Sequence, residues 1–109
     1  HWSKTTGEAG GVVWEWCYSI ADVGGTFGAY SSWLPAESKV PDSNTASKHA
    51  LDVFPWLDMT GYKESTIICW QVRRNTDAAG DTYAAAARLF EFDFHYQSSK
   101  PGTIKEIPV

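Results

Sequence analysis

Two cysteines, one methionine and nine basic side chains are all that this 109-residue chain holds of those types. Each scarcity excludes something. The few Lys and Arg are scattered among thirteen carboxylates, for a net charge of −4, so there is no basic stripe for a nucleic-acid partner. No apolar run approaches membrane-spanning length, so no membrane insertion is expected. No signal-peptide pattern is visible in the first residues, so none is expected there. There is no initial Met, and His1-Trp2-Ser3 falls within a strand-like pattern, which reads as a processed or excised fragment. Cys17 and Cys69 form no CxxC and no Cys/His cluster, so neither a metal nor any other cofactor is expected. A bridge between them would add roughly 3 to 4.5 kcal/mol by closing a long loop. The expectation is instead two small buried hydrophobes on strands. Internal repeats and low-complexity runs are absent.

Aromatics are plentiful: six Trp, five Tyr and five Phe. In Val12 to Ala21, Val12, Trp14, Trp16, Tyr18 and Ile20 alternate with Val13, Glu15, Cys17 and Ser19. In Ile67 to Arg74, Ile68, Trp70 and Val72 share a face. In Leu89 to Gln97, Phe90, Phe92, Phe94 and Tyr96 share one face, and Leu89, Glu91, Asp93 and His95 the other. Alternation at period two marks strands with one buried face. Trp14, Trp16, Trp70, Phe90, Phe92 and Phe94 are therefore expected inside.

Shorter strands are expected at Trp2, at Thr26 to Trp33, through His49, Leu51 and Val53, and at Trp56 to Met59. Leu34 to Thr45, with Pro35 and Pro41, reads as a surface loop. Thr82 to Ala87 reads as strand or turn flowing into the last strand. Several short strands with frequent turn signals and no long helix predict one all-β domain over residues 1–100, a jelly-roll-type β-sandwich of about seven or eight antiparallel strands. An extended tail follows over 101–109.

Three groups of residues carry candidate chemistry. Glu91, Asp93 and His95 could bind a metal or act as acid and base, but nothing in the sequence visibly completes such a site. The expected use is a solvated or subunit-facing strand face, without catalysis. Arg73, Arg74, Asp77 and Asp81 bracket a polar link too sparse in carboxylates for calcium; an Arg–Asp pair pinning the turn is expected. Phe27, Tyr30, Trp33, Trp56 and Tyr62 lie in or beside loops, where aromatics with nearby Asp and Asn grip sugar rings. The same aromatics could instead cover core ends or a seam between subunits.

His1-Trp2-Ser3 with its Thr/Gly loop, Gly11-Val12-Val13-Trp14-Glu15, Trp70-Gln71-Val72-Arg73-Arg74-Asn75, Asp81-Thr82-Tyr83-Ala84, Ala87-Arg88-Leu89 and Phe92-Asp93-Phe94-His95-Tyr96 follow one another in an order that resembles a β-domain of tailed-bacteriophage and prophage structural proteins. The resemblance implies a jelly roll on a tail, neck or fibre appendage of the virion, often trimeric, with one or two strands ahead of the His1-Trp2 position. It brings no catalytic residues. The Trp33 to Ser47 loop and the Trp56 region depart from it, so ligand specificity does not carry over. The expected function is a non-enzymatic virion structural domain. Its expected partners are copies of itself in a homotrimer, other virion proteins, and a host-surface glycan. The alternative is a carbohydrate-binding module of a secreted, extracellular bacterial enzyme.

Overall fold

A computed structural model describes residues 1–38 and 46–96. The expected tail, and most of the Pro-bearing loop, lie outside the described residues. Among these, the structure is all strand, turn and coil. The elements are β1 (Trp2–Lys4), β2 (Trp14–Ala21), β3 (Leu34–Pro35), β4 (Glu37–Ser38), β5 (Asp52–Val53), β6 (Ile67–Arg74) and β7 (Ala87–Leu89). Every pairing is antiparallel. No helix among the described residues is long and apolar enough to cross a membrane.

The two longest strands are those with the clearest alternation. β2 and β6 pair over their full lengths, from Trp14 opposite Arg74 to Ala21 opposite Ile67. β3 lies on the other side of β2, giving the order β3-β2-β6. Pro35 is tolerated there because an edge strand need not donate on its outer side.

A second layer forms around β1. On one side β1 pairs with β7, Trp2 opposite Leu89. On the other, the Trp2 and Ala50 backbones exchange hydrogen bonds of 3.0 and 2.8 Å. The core sits between the layers: Trp2, Val12, Trp14, Ala50 and Tyr83 are buried together. The Trp2 and Trp14 rings meet edge to face at 6.1 Å, a geometry worth roughly 0.5–1.5 kcal/mol beyond area burial.

Polar clips hold the connections. Arg74 Nη2 and Nε donate to Asp81 Oδ1 and Oδ2 at 2.7 and 2.9 Å. Asp81 Oδ2 also accepts the Val13 N–H, and Arg74 reaches the Ala85 and Tyr83 carbonyls. This is the expected Arg–Asp pin. Burial pushes the Asp81 carboxyl up, but Arg74 and Val13 outweigh it and hold it below its ordinary value. Arg73 instead pairs with Glu15 at 2.9 Å. The Asp77 N–H closes a local turn on Asn75 Oδ1. Gly10 approaches the Tyr83 backbone so closely that a Cβ would lie 2.7 Å from it, and its φ is +127°. Both facts demand glycine.

Several expectations fail. Thr26 to Trp33 forms no strand, and its neighbour Leu34–Pro35, expected in a loop, does. The loop still follows β2: the Ser31 N–H donates to the Tyr18 carbonyl and Ser19 Oγ to that of Gly28. Trp56 to Met59 is coil, and the last ladder ends at Leu89. Of the six side chains expected inside, Trp14 and Trp16 are buried and Phe92 is half-buried. Trp70, Phe94 and Phe90 are 41%, 48% and 61% exposed. That overturns the assignment of one continuous buried face to the last strand. Cys17 and Cys69 are free thiols, one buried and one half-buried.

A β-bulge explains the last segment. The Phe90 and Glu91 N–H groups both donate to the His1 carbonyl, at 2.9 and 3.4 Å, and the His1 nitrogen donates to the Glu91 carbonyl. Two residues thus oppose one, which shifts the alternation by a residue. Phe90 drops out of the aromatic row. Phe92 and Phe94 still turn towards Trp16, at 5.6 and 5.8 Å between rings.

Candidate functional site

Below the bulge lies a cleft of about 1290 Å³. Its floor is the β2–β6 sheet, through Trp14, Trp16, Ile68 and Val72; its walls are the segments 51–60 and 89–96. The aromatic cluster belongs to it. Trp16 packs on Phe54 at 5.7 Å, Phe92 on Phe54 at 5.6 Å and on Trp70 at 4.5 Å. The indole N–H groups of Trp14 and Trp16 are buried and have no hydrogen-bond partner among the described residues. Buried donors ordinarily have one.

The rim is polar, and register explains how it is assembled. Trp2 and Ala50 point into the core, so their neighbours His1 and His49 emerge together on the other side of the β1 layer. The bulge brings Glu91 and Asp93 to that same side. His1 Nδ1 lies 2.7 Å from His49 Nε2, with ring centroids 4.9 Å apart. His1 Nε2 lies 3.7 Å from Asp93 Oδ1, and His95 Nε2 lies 3.1 Å from Asp93 Oδ2. One donor atom from each of His1, Glu91 and Asp93 falls within 4.8 Å of the others. Farther along the rim, the hydroxyl and N–H of Thr60 hold the Asp58 carboxyl below its ordinary value.

The structure divides the expected site residues. Trp56, Glu91, Asp93 and His95 line the cleft, and Trp56 is 78% exposed. Phe27, Tyr30, Trp33 and Tyr62 do not line it. Trp33 sits under the Arg73 guanidinium at 4.0 Å, on the Glu15 face of the sheet, which is the face away from Trp14 and Trp16. The loop aromatics that offered a sugar-binding patch are therefore not one surface.

Sequence reasoning missed His1, His49 and the two floor tryptophans as parts of a site. The one available signal was that His1 and His49 flank Trp2 and Ala50; without the register of β1, nothing linked them. Comparison with protein-family models, with curated proteins and with solved structures finds no match for this chain.

Proposed function

We propose that this chain is a non-enzymatic structural domain of a bacteriophage virion, a jelly-roll-type sandwich that works as one subunit of an oligomeric tail, neck or fibre appendage. The sequence resemblance supplies the phage context. The observation that carries the assembly is the uncovered aromatic run after the bulge. Tyr96 is 87% exposed, at the end of the row that holds half-open Phe94 against Trp70; Phe90, 61% exposed, stands on the opposite side of the segment. Next to it β6 is, among the described residues, an eight-residue edge strand in the order β3-β2-β6. A long edge bordered by exposed rings invites pairing with another chain unless something covers it. In a closed trimer each subunit would present this surface to a different surface of the next. Burial of about 800 Å² per partner makes such a contact stable.

Sedimentation at micromolar concentration, together with imaging of the native particle, tests this reading. A trimer, or a repeated subunit on a particle, is expected. A monomer in both would overturn it.

A second reading, a carbohydrate-binding module of an extracellular enzyme, draws on the cleft. Aromatic walls offer stacking for sugar CH faces, and rim carboxylates offer hydrogen bonds to hydroxyls. A monomer that binds soluble glycans, and loses them on Trp56→Ala, would favour this reading over the first.

A further inference from the structure

All three histidines of the chain gather at one end of the cleft, although they stand at positions 1, 49 and 95. They meet there with two carboxylates, and the set is ordered. Ligands about 2.0–2.2 Å from a zinc ion lie roughly 3.2–3.6 Å from one another. The donors of His1, Glu91 and Asp93 already stand within 4.8 Å of each other, so small side-chain rotations bring them to that spacing.

We propose that His1, through Nε2, with Glu91 and Asp93 forms a binding site for a divalent transition-metal ion, zinc by preference, with His49 and His95 as positioning residues behind the ligands. A metal-bound imidazole passes its other N–H to a partner that fixes the ring and the tautomer. His1 Nδ1 has that partner in His49 Nε2, at 2.7 Å. The Asp93 oxygen remote from His1 is held by His95 Nε2 at 3.1 Å. The far ends of both ligands are thus fixed while their near ends converge.

The donor set selects the ion. Two carboxylates balance a dication. An imidazole nitrogen among oxygens suits borderline ions such as zinc better than calcium or magnesium, which take oxygen ligands. Three protein ligands leave a coordination position open. The ligands border the cleft floored by Trp14 and Trp16, so the open position faces a space that a substrate or water could enter. The ion would also tie residues 90–96, which no ladder holds among the described residues, to β1. Metal affinity would then appear as folding stability.

The test is titration of the metal-free full chain with Zn²⁺ alone, followed by calorimetry and thermal unfolding, with Co²⁺ as the spectroscopic probe. One equivalent should bind, Tm should climb with Zn²⁺ concentration, and imidazole NMR signals of His1 should shift. Asp93→Asn and Glu91→Gln should each weaken binding by at least about tenfold, and His49→Gln by roughly 10–100-fold. Far-UV circular dichroism and the Tm without metal check that each variant folds, and Glu91→Gln serves if Asp93→Asn does not. The absence of saturable binding would overturn the proposal. So would parental affinity in both carboxylate variants, or equal competition by Mg²⁺ or Ca²⁺.

Discussion

Phe92 and Phe90 are the same residue type two positions apart, and the structure gives them opposite circumstances. Phe92 meets Trp16, Phe54, Trp70 and Phe94. Phe90 stands mostly in solvent. Phe92→Ala should cost about 2–3 kcal/mol, below the range for a fully buried Phe because the ring is half-buried. Phe90→Ala should cost under about 0.5 kcal/mol in the monomer. Urea unfolding of the two variants checks the contrast; equal costs would mean that the bulge is absent. Tyr83 is a second residue with unusual chemistry. Burial pushes its phenol up, but the N–H and hydroxyl groups of Thr5 and Thr6 converge on its oxygen and bring it down from 10.0 to about 8. Between those values the unfolded chain holds a proton that the folded chain has lost. Stability should therefore rise with pH across that interval, and the gain should vanish as pH falls through about 8. Absorbance at the phenolate band should show one tyrosine ionising near pH 8 in the parent and none there in Tyr83→Phe.

At the scale of elements, β2 and β6 were legible as strands because each keeps its alternation over eight residues, and the structure pairs them end to end; their burial was not, since both faces of β2 are covered and Trp70 is exposed. The last strand was half legible. Its alternation is real from Phe92 to Phe94, but the bulge is a backbone event opposite His1, and no side-chain pattern announces it. Of the site, the run Glu91, Asp93, His95 could be seen, yet what completes it could not, since His1 and His49 arrive through the register of a three-residue strand. The Arg74–Asp81 pin was readable because both residues flank one link. Nearly buried in the structure, this pair joins the end of β6 to the run into β7. Asp81→Asn leaves the guanidinium without its counter-charge and should cost on the order of 3 kcal/mol at neutral pH. The Asp81 carboxyl is held below 3.8. Its contribution is therefore present above that pH and lost as pH falls through the folded value, so the gap between variant and parent should narrow in acid. Chemical denaturation at two pH values measures this.

For the molecule as a whole, the core is small for a chain with sixteen aromatic residues; its buried hydrophobic cluster is Trp2, Val12, Trp14, Ala50 and Tyr83. Part of the exposed apolar surface lies on β6 and the segment after the bulge, at Trp70, Phe94 and Tyr96. If assembly covers it, Tm should rise with protein concentration, because association stabilises by mass action. The double variant Phe90→Ser and Tyr96→Ser should abolish that dependence and sediment as a monomer with its fold intact. A parent Tm unchanged across a hundredfold range of concentration would count against the assembly.

Changes in chain length should be tolerated at one place along the last described segment. Deleting a single residue from a regular strand exchanges its inner and outer sets, so removal of Phe92, which brings Glu91 into its place, should be ruinous. Loss of Phe90 is different: the two-against-one pairing with His1 becomes one against one, Glu91 takes the vacated place, and Phe92, Asp93, Phe94 and His95 keep their sides. A scan of single-codon deletions from Ala87 to Phe94, scored by soluble yield, should therefore show a permissive window at the bulge, over Leu89, Phe90 and Glu91, and failure at Phe92.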